Sequence, residues 1–404
     1  MRTQVAIVGA GPAGLLLGHL LHRQGIDTVV LERQTRQHVE RRIRAGVLEH
    51  STVVLLRELG LAARLDREGM VHHGLEVLFE GTAHRIDLTA LSGRQITIYG
   101  QHELVKDLIA DRLASGAPLL FSAPAVAVEQ FDGPRPVVHF EVEGQRRELS
   151  ADVVVGCDGY HGVCRTAPPA GALSTYQHDY PYGWLGVLAE APPSAPELIY
   201  AWHERGFALH SMRSPELTRL YLQVPPDDEV AAWPPERIWP ELRTRLHRDD
   251  PAWALADGSI VEQSVVALRS LVTEPMRYGR LFLAGDAAHI VPATGAKGLN
   301  LAVADVTVLA TALTHWYATG EETLLDRYSA TCLQRVWRVQ HFSWWMTSML
   351  HRPPSADPFA TRLQLSQLHY LTSSTAAAAS LAENYVGLPL PALAGTTGGT
   401  DDDS

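Results

Sequence analysis

The sequence predicts an α/β fold of mixed α+β character: a Rossmann-like dinucleotide-binding domain is interleaved with a β-sheet domain and followed by a helical C-terminal region. Three observations predict it. The chain opens on a strand, a glycine-rich turn, a helix and a second strand. Two later apolar strands end in Cys-Asp-Gly and Gly-Asp. An alternating, aromatic-rich region then gives way to long segments with helical spacing.

The opening unit is a βαβ motif. QVAIVG is a buried-strand pattern, AGLLLGHLLHRQG is a helix that ends at a glycine, and DTVVLER is a second strand. Gly9, Gly11 and Gly14 lie at the turn, where they allow a tight bend and close approach of a pyrophosphate. Glu32 ends the second strand and can accept hydrogen bonds from an adenosine ribose. This full context favours dinucleotide binding over a purely structural glycine turn.

The later elements follow in order. ELVKDLIADRLASG has helical spacing, and ADVVVGCDG is an apolar strand that ends on glycine. A second sheet is predicted over residues 180–268, where alternating runs such as RLYLQVP occur. After the strand GRLFLAGD, the segments GLNLAVADVTVLATALTHWYATG and TLLDRYSATCLQRVWRVQHFSWWMTSML predict long helices, and helical patterns persist to about Asn384.

Composition narrows the function classes. The 404 residues are 46% hydrophobic and carry a net charge of −11, which argues against nucleic acid as the main partner. Three cysteines without metal-type spacing predict no disulfide framework, no metal site and a cytoplasmic protein. The apolar run from Val5 to Leu21 contains Gly9, Gly11, Pro12 and Gly14, so we expect neither a signal peptide nor a membrane span. The polar tail, residues 395–404, is predicted to be disordered.

Two aspartates at strand ends raise the question of a ligand. Asp158 follows the strand DVVV, and Asp286 follows the strand LFLA in the stretch GDAAHIVPATGAKGLN. A carboxylate at the end of a buried strand is costly unless something satisfies it. Either each segment is a polar surface turn, or a bound polar ligand lies against it.

The order of these three motifs resembles the FAD-dependent aromatic hydroxylases. The resemblance runs from about Arg2 to about Leu390 and is strongest to the branch that acts on 4-hydroxybenzoate. It is carried by the strings RIRAGVLE, YPYGWLG, ELIYAWHERGFAL, ALRS, GDAAHIVPATGAKGLNLA, FSWWMTSMLHR and AENYVGLP. It implies a Rossmann-like FAD-binding domain with an interleaved substrate-binding sheet. The implied division is FAD-binding parts at 1–72, 101–175 and 271–320, substrate-domain strands at 73–100, a substrate-binding sheet domain at 176–270, and a C-terminal helical region at 321–394.

The resemblance implies a flavoprotein monooxygenase. NADPH or NADH would reduce FAD, and the reduced flavin would react with O2 to a C4a-hydroperoxide that hydroxylates 4-hydroxybenzoate at C3, giving 3,4-dihydroxybenzoate. It also implies a homodimer. One alternative is the same chemistry on another benzoate, such as 4-aminobenzoate or 3,4-dihydroxybenzoate. An alternative of a different class is a flavin-free scaffold that binds a nucleotide or a partner, against which the intact Glu32, Asp158 and Asp286 argue.

The resemblance also implies the FAD contacts. Asp286 would hold the ribityl or pyrophosphate part, and a helix beginning near Leu299 would direct its positive end at the flavin, with Lys297 adding to the field. The implied cofactor-binding residues are Gly9, Gly11, Gly14, Glu32, Arg42, Arg44, Val47, Gln101, Asp158, Arg219, Asp286, Lys297, Leu299 and Asn300.

The implied substrate site has an anionic and a phenolic end. Arg213 would bind the carboxylate, with the hydroxyls of Ser211 and Tyr221 beside it. The backbone carbonyl of Ala293, which replaces the family's proline, would meet the phenol. The residues implied as the catalytic proton relay are Tyr200, Tyr385 and His72.

A basic segment after the second strand is implied in nicotinamide binding. The implied residues are Arg33, Gln34, His38, His161 and Arg269. A basic cluster favours the 2′-phosphate of NADPH. Because His38 replaces an expected tyrosine, NADH use stays open. Two further departures, Trp202 and His210, are expected to point away from the pocket by strand alternation.

Overall fold

A computed structural model describes residues 1–42, 46–355 and 357–389. The helices are α1 Pro12–Arg23, α2 Arg36–Arg41, α3 His50–Glu58, α4 Ala63–Glu68, α5 Leu88–Ser92, α6 Gln101–Ala114, α7 Pro235–Arg245, α8 Gly298–Thr319, α9 Thr323–Leu350, α10 Pro358–Ser373 and α11 Thr375–Val386.

Strands alternate with these helices over the first three quarters of the chain. They are β1 Val5–Val8, β2 Thr28–Leu31, β3 Val47–Leu48, β4 Met70–His72, β5 Gly74–Phe79, β6 Thr82–Asp87, β7 Ile96–Ile98, β8 Leu119–Leu120, β9 Ala125–Glu129, β10 Val137–Val142, β11 Gln145–Ser150, β12 Val153–Gly156, β13 Ser174–Glu190, β14 Leu198–Ala201, β15 Ala208–Ser214, β16 Leu217–Val224, β17 Ser259–Glu274, β18 Arg277–Tyr278, β19 Leu281–Leu283 and β20 His289–Ile290.

A six-stranded sheet forms the dinucleotide-binding part, in the order β18-β19-β12-β1-β2-β8. Its strands are parallel except for β18, and every residue of β1, β2, β12 and β19 is buried. Both faces of such a sheet are covered, which is why these strands read as continuous apolar runs. The carboxyl ends of β1, β12 and β19 lie side by side at one edge, directly before Gly9, Cys157 and Ala284. The predicted fold class is confirmed.

An eight-stranded sheet lies in the second part, in the order β20-β17-β13-β16-β15-β14-β5-β6. One face is packed by residues of α9, α10 and α11, and the other by residues of α7. The register places Tyr200, Leu209, Tyr221 and Gly186 directly opposite one another on four neighbouring strands. Opposite residues point to the same face, so this row crosses the face that α9–α11 cover.

The helical region closes the molecule over that face. Within the described residues, one helix, α8, is long and apolar enough to cross a membrane by length and composition, and 67% of its apolar window is buried inside the protein. A buried core helix of this length and composition passes the same test. All three cysteines are free. The predicted disordered tail, residues 395–404, lies outside the described residues.

Candidate active site

The glycine turn after β1 has the shape that a phosphate-binding loop requires. Gly9 has φ +106°, and a Cβ there would lie 2.3 Å from the carbonyl oxygen of Cys157. A Cβ at Gly14 would lie 2.0 Å from the carbonyl oxygen of Gly9, so only glycine allows α1 to pack this close. At Gly11 a Cβ would meet nothing within 4 Å. The backbone at Gly11 therefore borders open space in front of the α1 N-terminus, where a pyrophosphate fits.

Glu32 shapes this loop as well as facing it. Its Oε2 accepts a hydrogen bond from the Ala10 amide at 2.8 Å, and its Oε1 accepts one from the Gln34 amide at 2.8 Å. Each carboxylate oxygen has a second lone pair. Glu32 can therefore keep both backbone contacts and still accept hydroxyl groups of a ribose.

Asp158, at the end of the neighbouring strand β12, has one oxygen without a hydrogen-bond partner among the described residues. Its Oδ2 accepts from the Cys164 amide at 2.9 Å, whereas its Oδ1 is buried and has no hydrogen-bond partner among the described residues. Burial raises the pKa of this carboxyl group. A Cβ at Gly162 would lie 2.0 Å from the carboxyl carbon of Asp158, so the glycine leaves the space that the carboxyl group fills. A hydroxyl-bearing ligand would satisfy the remaining oxygen. These residues fit the ribose and pyrophosphate groups of FAD.

The Gly-Asp turn after β19 depends on a residue that the sequence analysis missed. Asp286 itself is exposed at the end of the strand. The buried carboxylate is Asp305 in α8, which accepts from the Gly285 amide at 2.9 Å and from His289 Nε2 at 2.6 Å. Burial alone would lower the pKa of His289, but the carboxylate of Asp305 outweighs it and raises this pKa. An aspartate within an apolar helix was the signal in the sequence for this contact.

The N-terminus of α8 carries a buried ion pair. Lys297 Nζ lies 2.8 Å from Glu49 Oε1 and 2.8 Å from the Tyr385 carbonyl oxygen, and Arg335 lies 3.3 Å from Glu49 Oε2. Burial lowers the pKa of Lys297, and Glu49 opposes this shift. The positive field that the sequence assigned to Lys297 is therefore largely balanced by Glu49, which was not assigned a role. The unpaired amide groups of the first helical turn still supply positive potential there.

Asn300 anchors this helix end to the segment before α3. Its Oδ1 accepts from the Glu49 amide and the Thr52 hydroxyl, both at 2.9 Å, and its Nδ2 donates to the Val47 carbonyl at 3.0 Å. The side chain of Asn300 and the carbonyl of Val47 are thus engaged within the protein. Leu299 beside them is half-buried.

Arg213 is a half-buried cation of the second sheet. Its Nη1 donates to the Ser211 hydroxyl at 3.0 Å and to the Met212 carbonyl at 2.7 Å, and its Nη2 donates to the Tyr221 hydroxyl at 3.4 Å. Its Nε is buried and unpartnered, and no carboxylate of the described residues forms an ion pair with it. Burial lowers the pKa of Arg213. A buried guanidinium without an anion is unfavourable, so the geometry calls for an anionic ligand.

Arg219 lies beside this group. Its guanidinium is 5.3 Å from the centre of the Tyr221 ring, and its Nη1 is 3.2 Å from Glu262 Oε1. Space for it comes from Gly186 on the neighbouring strand, where a Cβ would lie 2.6 Å from Arg219 Nη2. The sheet thus holds two arginines around one tyrosine.

Two tyrosine hydroxyls meet at the other end of the cross-strand row. Tyr200 and Tyr385 hydroxyl oxygens are 2.6 Å apart, both residues are buried, and burial raises the pKa of each. His72 is also buried, neither ring nitrogen has a partner among the described residues, and burial lowers its pKa to about 4. The structure therefore pairs the two tyrosines directly, whereas no direct hydrogen bond joins His72 to either. Ala293 is exposed at the start of a short 3₁₀ turn.

The residues implied in nicotinamide binding form two groups. Arg33 and His38 are exposed around α2, and the amide of Gln34 belongs to the Glu32 contacts described above. His161 is exposed, and the Arg269 guanidinium lies 4.9 Å from the Tyr160 ring centre. Within the described ranges, no hydrogen bond or ring contact joins one group to the other.

The remaining residues that the resemblance implies are Gln101, Arg42 and Arg44, and the two departures from the family are His210 and Trp202. Gln101 is the first residue of α6, and Arg42 directly follows α2. Arg44 lies outside the described residues. His210 points to the face of the sheet away from Tyr200, where its Nε2 accepts from the Ser194 amide. Trp202, the residue after β14, departs from the expectation: it lies in the same buried cluster as Tyr200, and its indole N–H donates to Gln364 on α10 at 3.1 Å.

The fold and the site define a flavin-dependent oxidoreductase, and the comparisons agree: residues 2–343 match the FAD binding domain family, to which the chain belongs. The chain is 49% identical over 390 residues to p-hydroxybenzoate hydroxylase of Acinetobacter baylyi, covering 96% of each chain. It is also 29% identical to a probable NADH-specific resorcinol 4-hydroxylase of Rhodococcus jostii, over 81% of this chain and 61% of that one. The resemblance to FAD-dependent aromatic hydroxylases is confirmed.

Solved structures agree on the fold. The p-nitrophenol 4-monooxygenase PnpA from Pseudomonas putida DLL-E4 superposes with a TM-score of 0.81 at 19% identity, covering 94% of this chain and 97% of that one. At this identity the match bears on the fold alone.

Proposed function

We propose that this protein is a single-chain FAD-dependent monooxygenase that hydroxylates 4-hydroxybenzoate at C3, using NAD(P)H and O2, to give 3,4-dihydroxybenzoate. One observation carries the choice of substrate class. The half-buried Arg213, whose Nε is fully buried, has no carboxylate partner among the described residues, and the paired hydroxyls of Tyr200 and Tyr385 lie on the same face of the sheet. An aromatic acid with a para hydroxyl matches both ends. The 49% identity to p-hydroxybenzoate hydroxylase supports this assignment.

The position of each site residue indicates which end of the substrate it would bind. Tyr200 and Tyr221 are separated by one strand, which corresponds to about 10 Å between their backbones. A carboxylate bound by Arg213, with Ser211 and Tyr221 beside it, would direct the opposite end of the ring at Tyr200. The Tyr200 hydroxyl would then take the phenolic proton as it gives its own to Tyr385, and Tyr385 would give its own onward to His72 and solvent. Removing this proton raises electron density on the ring carbon beside the hydroxyl.

FAD, when bound, would accept electrons from NAD(P)H and activate O2. The residues that would hold it are the glycine turn, Glu32, Asp158, Asp286 and the first turn of α8. Water is kept from the substrate by the aromatic cluster on the covered face of the sheet. Arg33 and His38 on one side and His161 and Arg269 on the other would contact the nicotinamide cofactor, and whether NADPH or NADH is preferred is decided by assay.

The deciding experiment measures product rather than cofactor oxidation. Purified holoenzyme is incubated with 4-hydroxybenzoate, 4-aminobenzoate, 3,4-dihydroxybenzoate and benzoate, each with NADPH and with NADH. We expect 3,4-dihydroxybenzoate from 4-hydroxybenzoate in near-stoichiometric yield on the nucleotide consumed. If another benzoate alone were converted efficiently, that benzoate would replace 4-hydroxybenzoate as the assigned substrate. A purified protein without flavin absorbance would refute the whole assignment.

We also propose a homodimer and a cytoplasmic location. The dimer is supported by Phe359, Leu363 and Tyr370, which expose 71%, 56% and 60% of their surface on α10. Light scattering should give twice the chain mass, and Leu363→Asp should reduce it if this surface is the interface. Three free cysteines support a reducing compartment. The domain division 1–72, 73–100, 101–175, 176–270, 271–320 and 321–394 is proposed on the separation of the two large sheets.

A further inference from the structure

A buried histidine at the end of α9 occupies the centre of an aromatic stack behind the substrate site. The His351 ring lies 4.5 Å from that of Phe207, 4.8 Å from that of Tyr182 and 5.8 Å from that of Trp184, with interplanar angles of 28°, 15° and 9°. Its side chain is fully buried. None of the roles assigned above uses it.

Hydrogen bonds fix the tautomer of this histidine. Its Nδ1 lies 3.0 Å from the Thr347 carbonyl oxygen, which can only accept, so Nδ1 carries the proton. The Nε2 atom is then an acceptor, and it receives the indole N–H of Trp184 at 2.6 Å. Burial lowers the pKa of His351 to about 3, so the imidazole stays neutral under working conditions.

The turn that carries His351 is tied to both sides of the substrate site. Gln223 on β16 donates to the Arg352 carbonyl at 2.6 Å and accepts from the Arg352 amide at 3.0 Å. Thr347 Oγ1 lies 2.8 Å from Thr294 Oγ1, in the short turn that begins at Ala293. This arrangement leaves the histidine little freedom, so its Nε2 is a fixed point for the indole.

Trp184 links this histidine to the residues that are proposed to bind the substrate carboxylate. Its ring centre lies 4.8 Å from that of Tyr221, at an interplanar angle of 49°, and the Tyr221 hydroxyl accepts from Arg213. Trp184 is buried, so its indole N–H depends on the histidine acceptor. If the acceptor is lost, the N–H stays unsatisfied or the indole rotates, and the tyrosine that it packs against moves with it.

We infer that His351 is a positioning residue for substrate binding: it holds the indole of Trp184 through Nε2, and the indole in turn holds Tyr221 against Arg213. The inference rests on the proposed function and adds to it. It assigns selectivity for the carboxylate end to a helix terminus that does not touch the substrate.

A double-mutant cycle tests this coupling. His351→Phe keeps the ring stack but removes the acceptor, and we expect about a tenfold weaker binding of 4-hydroxybenzoate to the holoenzyme, equivalent to about 1.4 kcal/mol. In a Trp184→Phe background, where no N–H needs an acceptor, the same change should alter affinity less than twofold. An equal loss in both backgrounds, or no loss in either, would overturn the inference.

A rescue and a control separate positioning from general damage. His351→Gln restores a neutral acceptor and should recover most of the affinity. Asp228→Leu removes the acceptor of a different indole, that of Trp233 at 2.8 Å on the opposite face of the sheet, and should leave affinity unchanged. FAD content measures folding in every variant.

A second readout does not depend on the substrate. In enzyme labelled with ¹⁵N-tryptophan, the Trp184 indole N–H, identified by its loss in Trp184→Phe, should exchange slowly with D2O. The exchange should become much faster in His351→Phe. Fast exchange in the wild-type enzyme would refute the hydrogen bond. Failure of wild-type enzyme to bind 4-hydroxybenzoate would instead refute the proposed function and leave this measurement valid.

Discussion

At the scale of single residues, Arg213 is a half-buried cation that forms no ion pair with a carboxylate among the described residues. Its hydrogen bonds to Ser211, Met212 and Tyr221 satisfy part of the guanidinium, but they supply no negative charge. A substrate carboxylate would add charge-assisted bonds in a site with a low dielectric constant, where such bonds are strong. Binding therefore relieves a cost that the free protein carries.

Arg213→Ala should weaken binding of 4-hydroxybenzoate about 100-fold, since losing one partner of a buried charged pair costs about 2–5 kcal/mol. Titration of flavin absorbance with substrate measures this. Arg205→Ala is the matched control, because Arg205 is an exposed arginine of the same sheet domain that pairs with Glu241. An unchanged dissociation constant for Arg213→Ala would contradict its assignment.

Tyr385→Phe should bind substrate within about twofold of the wild type but form product about 10²-fold more slowly, the range of a lost general acid–base step. The change removes one oxygen from the 2.6 Å contact with Tyr200 and keeps the ring. Product formation and nucleotide oxidation are followed separately. The control is Tyr370→Phe, at an exposed tyrosine. Full coupled turnover by Tyr385→Phe would exclude the relay.

The sequence indicates candidate residues that belong to a motif, but it does not indicate residues whose contribution depends on a contact in the fold. Asp158 and Arg213 stand in recognisable strings, whereas Asp305 stands in an apolar helix and acts on the turn at Gly285 from twenty positions away. Glu49 is the last residue of the string RIRAGVLE, but only the fold reveals that it pairs with Lys297. Burial and distance decide such roles, and neither is written in a local pattern.

At the scale of elements, the first half of α8 ties the segment before α3 to the turn after β19. Its first turn holds Lys297 and Asn300 contacts to the segment around Glu49, and one turn further into the helix Asp305 supports the turn after β19. A helix end that is bonded on two sides keeps its free amide groups at fixed positions. Such rigidity suits the placement of a flavin ring.

Asn300→Ala should lower the free energy of unfolding by about 1–3 kcal/mol, because it leaves the buried Glu49 amide and Val47 carbonyl unsatisfied. FAD should also dissociate more readily. Urea unfolding and flavin fluorescence measure the two effects. Thr307→Ala, which removes only a bond to the Val303 carbonyl within the same helix, should change neither. Equal effects of both substitutions would show that Asn300 has no special role.

The elements themselves were predictable because their periodicity is local. The strand before Gly9, the helix α1 and the long helices α8 and α9 all occur where the apolar spacing placed them. The order in which the strands pair in the sheets could not be predicted from the spacing of apolar residues. The parallel pairing of β14 with β5, which carries Tyr200 next to Val77, joins segments more than a hundred residues apart. It depends on which faces can be buried together, a property of the whole fold.

At the scale of the whole molecule, three buried histidines form no ion pair with a carboxylate within the described part of the chain. His72 and His210 have pKa values lowered to about 4, and His351 to about 3, in each case mainly by burial. Arg248 and His72 also repel a proton from His210. All three bind a proton more readily in the unfolded chain, so each contributes stability above the unfolded pKa near 6.5. That contribution is lost as the pH falls toward 4.

His210→Gln should reduce the loss of stability between about pH 6.5 and pH 4 by about 1–3 kcal/mol, since a shift of one pKa unit corresponds to about 1.4 kcal/mol. Glutamine keeps an acceptor for the Ser194 amide but does not titrate. Urea unfolding at several pH values in this range gives the slope. His369→Gln, at an exposed histidine, should leave the slope unchanged. Identical slopes for His210→Gln and the wild type would contradict the argument.

The contact between Tyr200 and Tyr385 also has a consequence for protein synthesis. The two tyrosines are 185 residues apart, and a ribosome adds roughly 5–20 residues per second, so about 10–40 s of translation separate them. The nucleotide-binding turn emerges earlier still. Tyr200 and its strand therefore leave the ribosome long before the residue that completes the pair of hydroxyls, and a prematurely terminated product would lack the second hydroxyl.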